Sequence, residues 1–224
     1  MLRASFGYKG GITAPQKSAA LAGYEILKDG GTAIEAMVAA AAAVAVTYPH
    51  MNGIGGDAFW LIKKEGQKPI GISGCGHSAS RASVEWYKNR GVTEAIPTRG
   101  GLSCVTVPGA VASWDKALSL VDNPMPVSEL LANAVSYAES GFAVTANQSY
   151  CTTSKLEELN KINGFSETFL VNQVAPKPGF LLKQLALKST LEILGKEGLH
   201  SFYQGDIAKV HADFLQEHGS PIIL

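Results

Sequence analysis

Cys75-Gly76-His77, with Arg81 four residues on, is the densest grouping of reactive side chains in the sequence. A thiolate is a nucleophile and an imidazole a base, so a Cys/His pair is chemically conceivable. Neighbouring positions seldom give the geometry a base needs, and no helix start or basic partner other than His77 stands ready to lower the thiol's pKa. Cys75 therefore reads as a small side chain rather than a nucleophile. Upstream lies a second stretch of interest, His50-Met51-Asn52-Gly53-Ile54-Gly55-Gly56-Asp57. Its glycines let backbone amides approach a ligand or another backbone without Cβ interference. The flanking Lys and Ser/Thr of a phosphate-binding loop are missing, which argues against a nucleotide site. Asp57 is expected to bond loop amides, Asn52 to serve a turn, and His50 to lie at a surface or interface. Trp60 and Trp114 read as core or interface anchors.

These residues need elements to hold them. The pattern Ala19, Leu21, Ala22, Tyr24, Ile26, Leu27 after Pro15 predicts a helix ending at Gly30-Gly31. Thr32-Ala33-Ile34-Glu35 has capping-box form, so a second helix starts at Thr32. Its Ala/Val body, 36–46, suits a buried central position, and Tyr48-Pro49 stops it. Residues 58–64 and 69–74 read as a hairpin, and 102–107 as a third strand. Ser83 caps a short helix to Arg90. Further helices are expected at 110–121, 128–140, 149–160, 182–195 and 199–217, with a loop over 163–178. Three strands cannot close a large sheet. The sequence thus describes an α-rich body carrying part of a sheet, the rest coming from another polypeptide.

The bulk numbers exclude several classes. Nineteen basic and nineteen acidic residues balance, so nothing favours nucleic acid or an anionic membrane. The apolar run 33–46 is too short and alanine-rich to span a bilayer. Cys75, Cys104 and Cys151 are odd in number and far apart, which argues against disulfides, and no Cys/His spacing suggests zinc. No metal or cofactor is expected. The N-terminus, Met1 to Lys9, has no signal-peptide core. A reducing, cytoplasmic setting is the expectation; a signal already removed is the alternative.

Several blocks resemble the N-terminal, large-subunit region of the γ-glutamyltransferases, which are autoprocessed N-terminal-nucleophile hydrolases. Gly30-Gly31-Thr32-Ala33-Ile34-Glu35-Ala36 is similar to the family's helix entry, and Pro49 through Phe59 to its Gly-Ile-Gly-Gly stretch. Val107-Pro108-Gly109, Ala134 through Phe142 and Gly198 through Gly205, with Phe202-Tyr203, match three more blocks. The blocks run in family order over about 180 residues, and it is their agreement that carries the resemblance.

The resemblance implies an α+β fold, the α-rich large-subunit portion of a four-layer αββα N-terminal-nucleophile hydrolase. Residues 1–224 would be a single domain, an incomplete large-subunit portion. It also implies cleavage ahead of a threonine that becomes nucleophile and, through its own amine, general base. That threonine is not expected within these residues, so no catalytic residue is assigned here. Expected partners are the small subunit from the same precursor and a small-molecule amide such as a γ-glutamyl compound. A homo-oligomer is left open.

One departure bears on substrate choice. The family's large subunit contributes an arginine, just after the hairpin, that holds the substrate's α-carboxylate. Direct register puts Cys75 at that position, and a register tied to Gly76 puts His77 there. Neither offers a guanidinium fork. Arg81 is the remaining cation in reach, so Cys75, His77 and Arg81 are the candidate substrate-binding residues. An acylase of altered specificity, similar to cephalosporin acylases, fits as well as a glutathione-cleaving enzyme. A non-catalytic, partner-binding body is the reading of another class.

Overall fold

A computed structural model describes residues 7–224; the N-terminal stretch read above for a targeting signal lies partly outside the described residues. The chain runs α1 (Lys17–Lys28), α2 (Ala33–Thr47), β1 (Ala58–Ile62), β2 (Ile70–Gly74) and α3 (Val84–Lys88). A 3-10 turn (Gly101–Ser103) follows, then α4 (Ala110–Leu118), α5 (Val127–Ser140), β3 (Phe142–Ala143), α6 (Ala146–Ser154), α7 (Leu156–Leu159) and α8 (Phe165–Phe169). β4 (Leu181–Leu182), α9 (Leu185–Glu197), a second 3-10 turn (Leu199–Phe202) and α10 (Asp206–Glu217) complete it.

The apolar-all-round sequence of α2 dictates its place, because a helix without a polar face has to be buried. It sits against α1 and α5, and α5 in turn packs on α9. Val38, Ala42, Ala43 and Val46 of α2 join Leu130, Leu131, Leu191 and Leu194 in one core. The capping box at its start forms as the sequence predicts: the Thr32 hydroxyl accepts from the Glu35 amide, and the Glu35 carboxylate accepts from the Thr32 amide. Glu35 does more than cap. Only 2% of it is exposed, and its other oxygen accepts from Met125 N at 2.7 Å, which ties the α4–α5 connection to α2. Burial alone would raise the carboxyl's pKa; the amides of Met125 and Thr32 and the Thr32 hydroxyl outweigh it and leave the pKa lowered.

β1 and β2 form an antiparallel hairpin in which Ala58 faces Gly74 and Ile62 faces Ile70. Strand alternation gives it two unlike faces. Trp60 and Ile62 turn inward, and Trp60 Nε1 donates to Ser113 Oγ of α4 at 2.9 Å. Phe59 and Leu61 turn outward and are 71% and 82% exposed. A second, two-residue-wide hairpin pairs β3 with β4.

Several expectations are corrected. No strand forms over 102–107: the 3-10 turn replaces its start, and only Thr106 forms a bridge, with Ser78. Ser103 Oγ donates to Gly100 O at 2.6 Å, a local bond that holds this backbone in a turn. The helix expected at 149–160 begins earlier and divides at Lys155 into α6 and α7. That expected at 199–217 breaks at Gly205 into a 3-10 turn and α10. The loop 163–178 contains α8. Among the described residues, no helix is long and apolar enough to cross a membrane.

Candidate active-site junction

Three loops that are distant in sequence meet where the β1–β2 hairpin opens. The first is the glycine loop that leads into β1. The second is Cys75–His77, which leaves β2. The third is Val107–Gly109, which leads into α4. Gly56 O accepts from both Gly109 N (3.1 Å) and Ala110 N (3.0 Å), so the start of α4 is bonded to the glycine loop. Val107 N donates to His77 O (2.9 Å), and Ala79 N to Val105 O (2.8 Å). The approach is close enough to require glycine. Gly76 has φ +70°, and a Cβ there would lie 1.8 Å from Val107 O. A Cβ on Gly109 would lie 2.2 Å from Gly74 O.

Cys75 leaves this packed turn as an exposed, free thiol with Sγ 3.4 Å from Ser73 Oγ. By strand alternation Asp57, Phe59 and Leu61 share the hairpin's outer face with Ser73 and Cys75. His77 and Arg81 are also exposed on the same connection. The three residues singled out by sequence thus lie along one exposed segment at the hairpin's open end. Among the described residues Asp57 makes none of the expected bonds to loop amides. Gly53 and Gly55 face open space, so the crowding that demands glycine falls at Gly76 and Gly109 instead.

A cavity of about 840 Å³ opens beside the junction. Ile54, Asp57, Val107, Tyr203, His211 and Ile222 are among the residues that line it; Cys75, His77 and Arg81 are not. Burial acts on the titratable groups of its inner wall. Burial lowers the pKa of His211, which stacks edge-on against Phe202 at 5.2 Å, and burial raises that of the Cys104 thiol. At the other end of the glycine loop His50 is half-buried, with Nε2 2.7 Å from Asn147 Oδ1 and its ring edge-on to Tyr48. His211, Cys104 and Tyr203 were not singled out as site residues by sequence. Tyr203 lay inside a recognised block, but its reach to residues some 90 positions upstream has no local signal. Among the described residues no group of three or more His, Cys, Asp or Glu side chains gathers to hold a metal.

The architecture is that of a helix-packed chain carrying an uncovered hairpin, with a small-residue junction at the hairpin's open end. The family model described as gamma-glutamyltranspeptidase matches residues 19–224. The chain belongs to that family. It is 48% identical over 219 residues to the oxamate amidohydrolase proenzyme of Klebsiella pneumoniae, covering 96% of this chain and 41% of that protein. It is 36% identical over 221 residues to the glutathione hydrolase-like YwrD proenzyme of Bacillus subtilis, covering 98% and 41%. It therefore spans about two-fifths of the length of these relatives. The crystal structure of Helicobacter pylori γ-glutamyltranspeptidase superposes with a TM-score of 0.91 at 24% identity, over 99% of this chain and 64% of that one. The α+β, helix-rich fold expected from the sequence is thus the fold observed.

Proposed function

We propose that this chain is the larger-subunit portion, a single domain, of a proenzyme-derived amide hydrolase that acts on small carboxylate-bearing amides, oxamate among them, in preference to γ-glutamyl compounds. The nucleophile is a threonine supplied by the rest of the full-length protein, and the second subunit covers the outer face of the β1–β2 hairpin. The observation that carries the reading is the end of that face, where Cys75 Sγ lies 3.4 Å from Ser73 Oγ and the direct register with the family would put an arginine at Cys75. A free α-amino acid head group needs a fixed cation for its carboxylate. Oxamate is far shorter, with its carboxylate bonded directly to the amide carbon. Exposed Arg81 or His77 can meet that one charge from the rim. The 48% identity to an oxamate amidohydrolase proenzyme supports the same choice.

The test uses the full-length protein. Intact mass and N-terminal sequencing should find two chains, the second beginning with Thr. Ammonia release from oxamate should then exceed release of p-nitroaniline from γ-glutamyl-p-nitroanilide. Cys75→Arg should shift that ratio toward the γ-glutamyl substrate by about tenfold or more, the scale of one charge-assisted hydrogen bond. Efficient γ-glutamyl turnover by the unmodified enzyme would defeat the proposed preference. One uncleaved chain would instead favour the partner-binding body.

A further inference from the structure

We propose that Tyr203 is a positioning residue for this site, its hydroxyl fixing the turn that seats both the glycine loop and the Cys75 segment; the role in substrate binding rests on the function proposed above. Tyr203 follows the second 3-10 turn, remote in sequence from every element of the junction. Its hydroxyl donates to Pro108 O at 2.8 Å and accepts from Ala112 N at 2.9 Å. Those two groups flank the bend at which the chain enters α4. The helix needs such help because Gly109, its N-cap, has no side chain with which to satisfy the first-turn amides. Tyr203 supplies from a distance the acceptor that a Ser or Asp would supply locally. No Ser or Asp could stand at Gly109, since its Cβ would strike Gly74 O.

What the hydroxyl holds is the centre of the junction. Gly109 N and Ala110 N fix the glycine loop through Gly56 O, and Val107 N fixes the Cys75 turn through His77 O. Gly109 and Ala110 lie between the two groups the phenol bonds, and Val107 directly precedes Pro108. Tyr203 is half-buried, with its ring edge-on to Phe202 at 5.1 Å. Burial raises its pKa against the opposing pull of the Ala112 amide, so the phenol keeps the proton it donates. Trp60 Nε1 on Ser113 Oγ is a second tie one turn along α4, but it reaches the hairpin's inner face rather than the bend.

The experiment compares full-length Tyr203→Phe with wild type and with Tyr137→Phe, which deletes a phenol bonded to Ser18 O, remote from the junction. Hydrogen exchange followed by mass spectrometry reads positioning without relying on catalysis. In Tyr203→Phe, peptides covering 54–58 and 74–79 should exchange about tenfold faster, the effect of one hydrogen bond. The KM for oxamate should rise by a similar factor while kcat stays within about twofold, because ground-state seating is what is lost. Tyr137→Phe should move neither. Faster exchange confined to the α4 peptide with an unchanged KM would overturn the proposal, since the phenol would then serve only its own helix. If Tyr203→Phe does not fold, Ala112→Pro removes the donor at a first-turn position that tolerates proline, and the same two peptides decide. A wild-type protein that leaves oxamate intact would refute the proposed substrate, while the exchange data would still judge the positioning.

Discussion

The α2 helix of the body and the β1–β2 hairpin are both built from apolar segments and end in opposite states. α2 is buried on most of its circumference by α1 and α5, with Met37 on the remaining stripe 42% exposed. The hairpin buries one face on α4 and leaves Phe59 and Leu61 of the other in solvent. Along most of α2, sequence pattern and burial agree. In the hairpin they disagree, and an uncovered aromatic-aliphatic face of this kind marks an interaction surface. The junction that gathers the candidate site residues lies at the border between the two. There the helical body fixes the backbone, and in the function proposed above the uncovered face receives the second subunit.

The largest effect should come from breaking the body. Leu131 is fully buried between α2 and α9, and Leu131→Ala should cost about 4 kcal/mol by denaturant unfolding, since its well-packed neighbours cannot collapse into the gap. Next comes the border. Gly76→Ala forces a side chain into a left-handed backbone and a Cβ against Val107 O. A loss of about 3 kcal/mol is expected, or, if the turn yields, a smaller loss with amide hydrolysis abolished. Stability and activity both unchanged would mean that the three loops are not held as described.

How far the sequence disclosed this border follows from the range of the interactions. The Thr32–Glu35 capping box is local, and it was legible to the residue. The Ser83 cap of α3 was legible as well, and the hairpin to within two residues at its ends. The second oxygen of Glu35, on Met125, was not, because a long-range bond leaves no periodic trace. The misread strand at 102–107 shows the converse. Val105-Thr106-Val107 has strand composition, yet its neighbours are Gly100-Gly101 and Pro108. Gly101 lies so close to His218 O that a Cβ would sit 1.9 Å away, an approach set by α10 that no local pattern carries. Cys75 and His77 were singled out through family register and Arg81 as the nearest cation, and the structure places the three on one exposed segment. The junction's supports, Gly76, Gly109 and Tyr203, were legible only as members of motifs.

A smaller effect separates the cavity from the site. His211 has a folded-state pKa below its ordinary 6.5 because of burial. The unfolded chain therefore binds the proton first. His211 contributes stability that is whole above pH 6.5 and is lost as pH falls from there through its folded value. Unfolding free energy measured across that range should slope downward toward acid, and His211→Gln should flatten the slope. Glu35, also lowered but from 4.5, acts in the same direction at more acid pH, so the two contributions separate along the pH axis. A slope that survives His211→Gln would place the titrating group elsewhere.

The smallest effect is the most direct test of the contrast. In these residues taken alone Phe59 meets solvent, so Phe59→Ser should change stability by less than about 0.5 kcal/mol. In the full-length protein the same substitution faces whatever covers the hairpin. If a second sheet packs there, the cost rises to about 3 kcal/mol, the scale of a buried aromatic. Leu61→Ser should follow it, because the two side chains share one face two residues apart. Trp60→Phe, which removes the bond to Ser113, should instead cost about 1 kcal/mol in both contexts, because the inner face is already closed by α4. Equal costs for Phe59→Ser in the two contexts would mean that the outer face stays bare in the complete protein, and the hairpin would then be a free surface rather than half of a sheet pair.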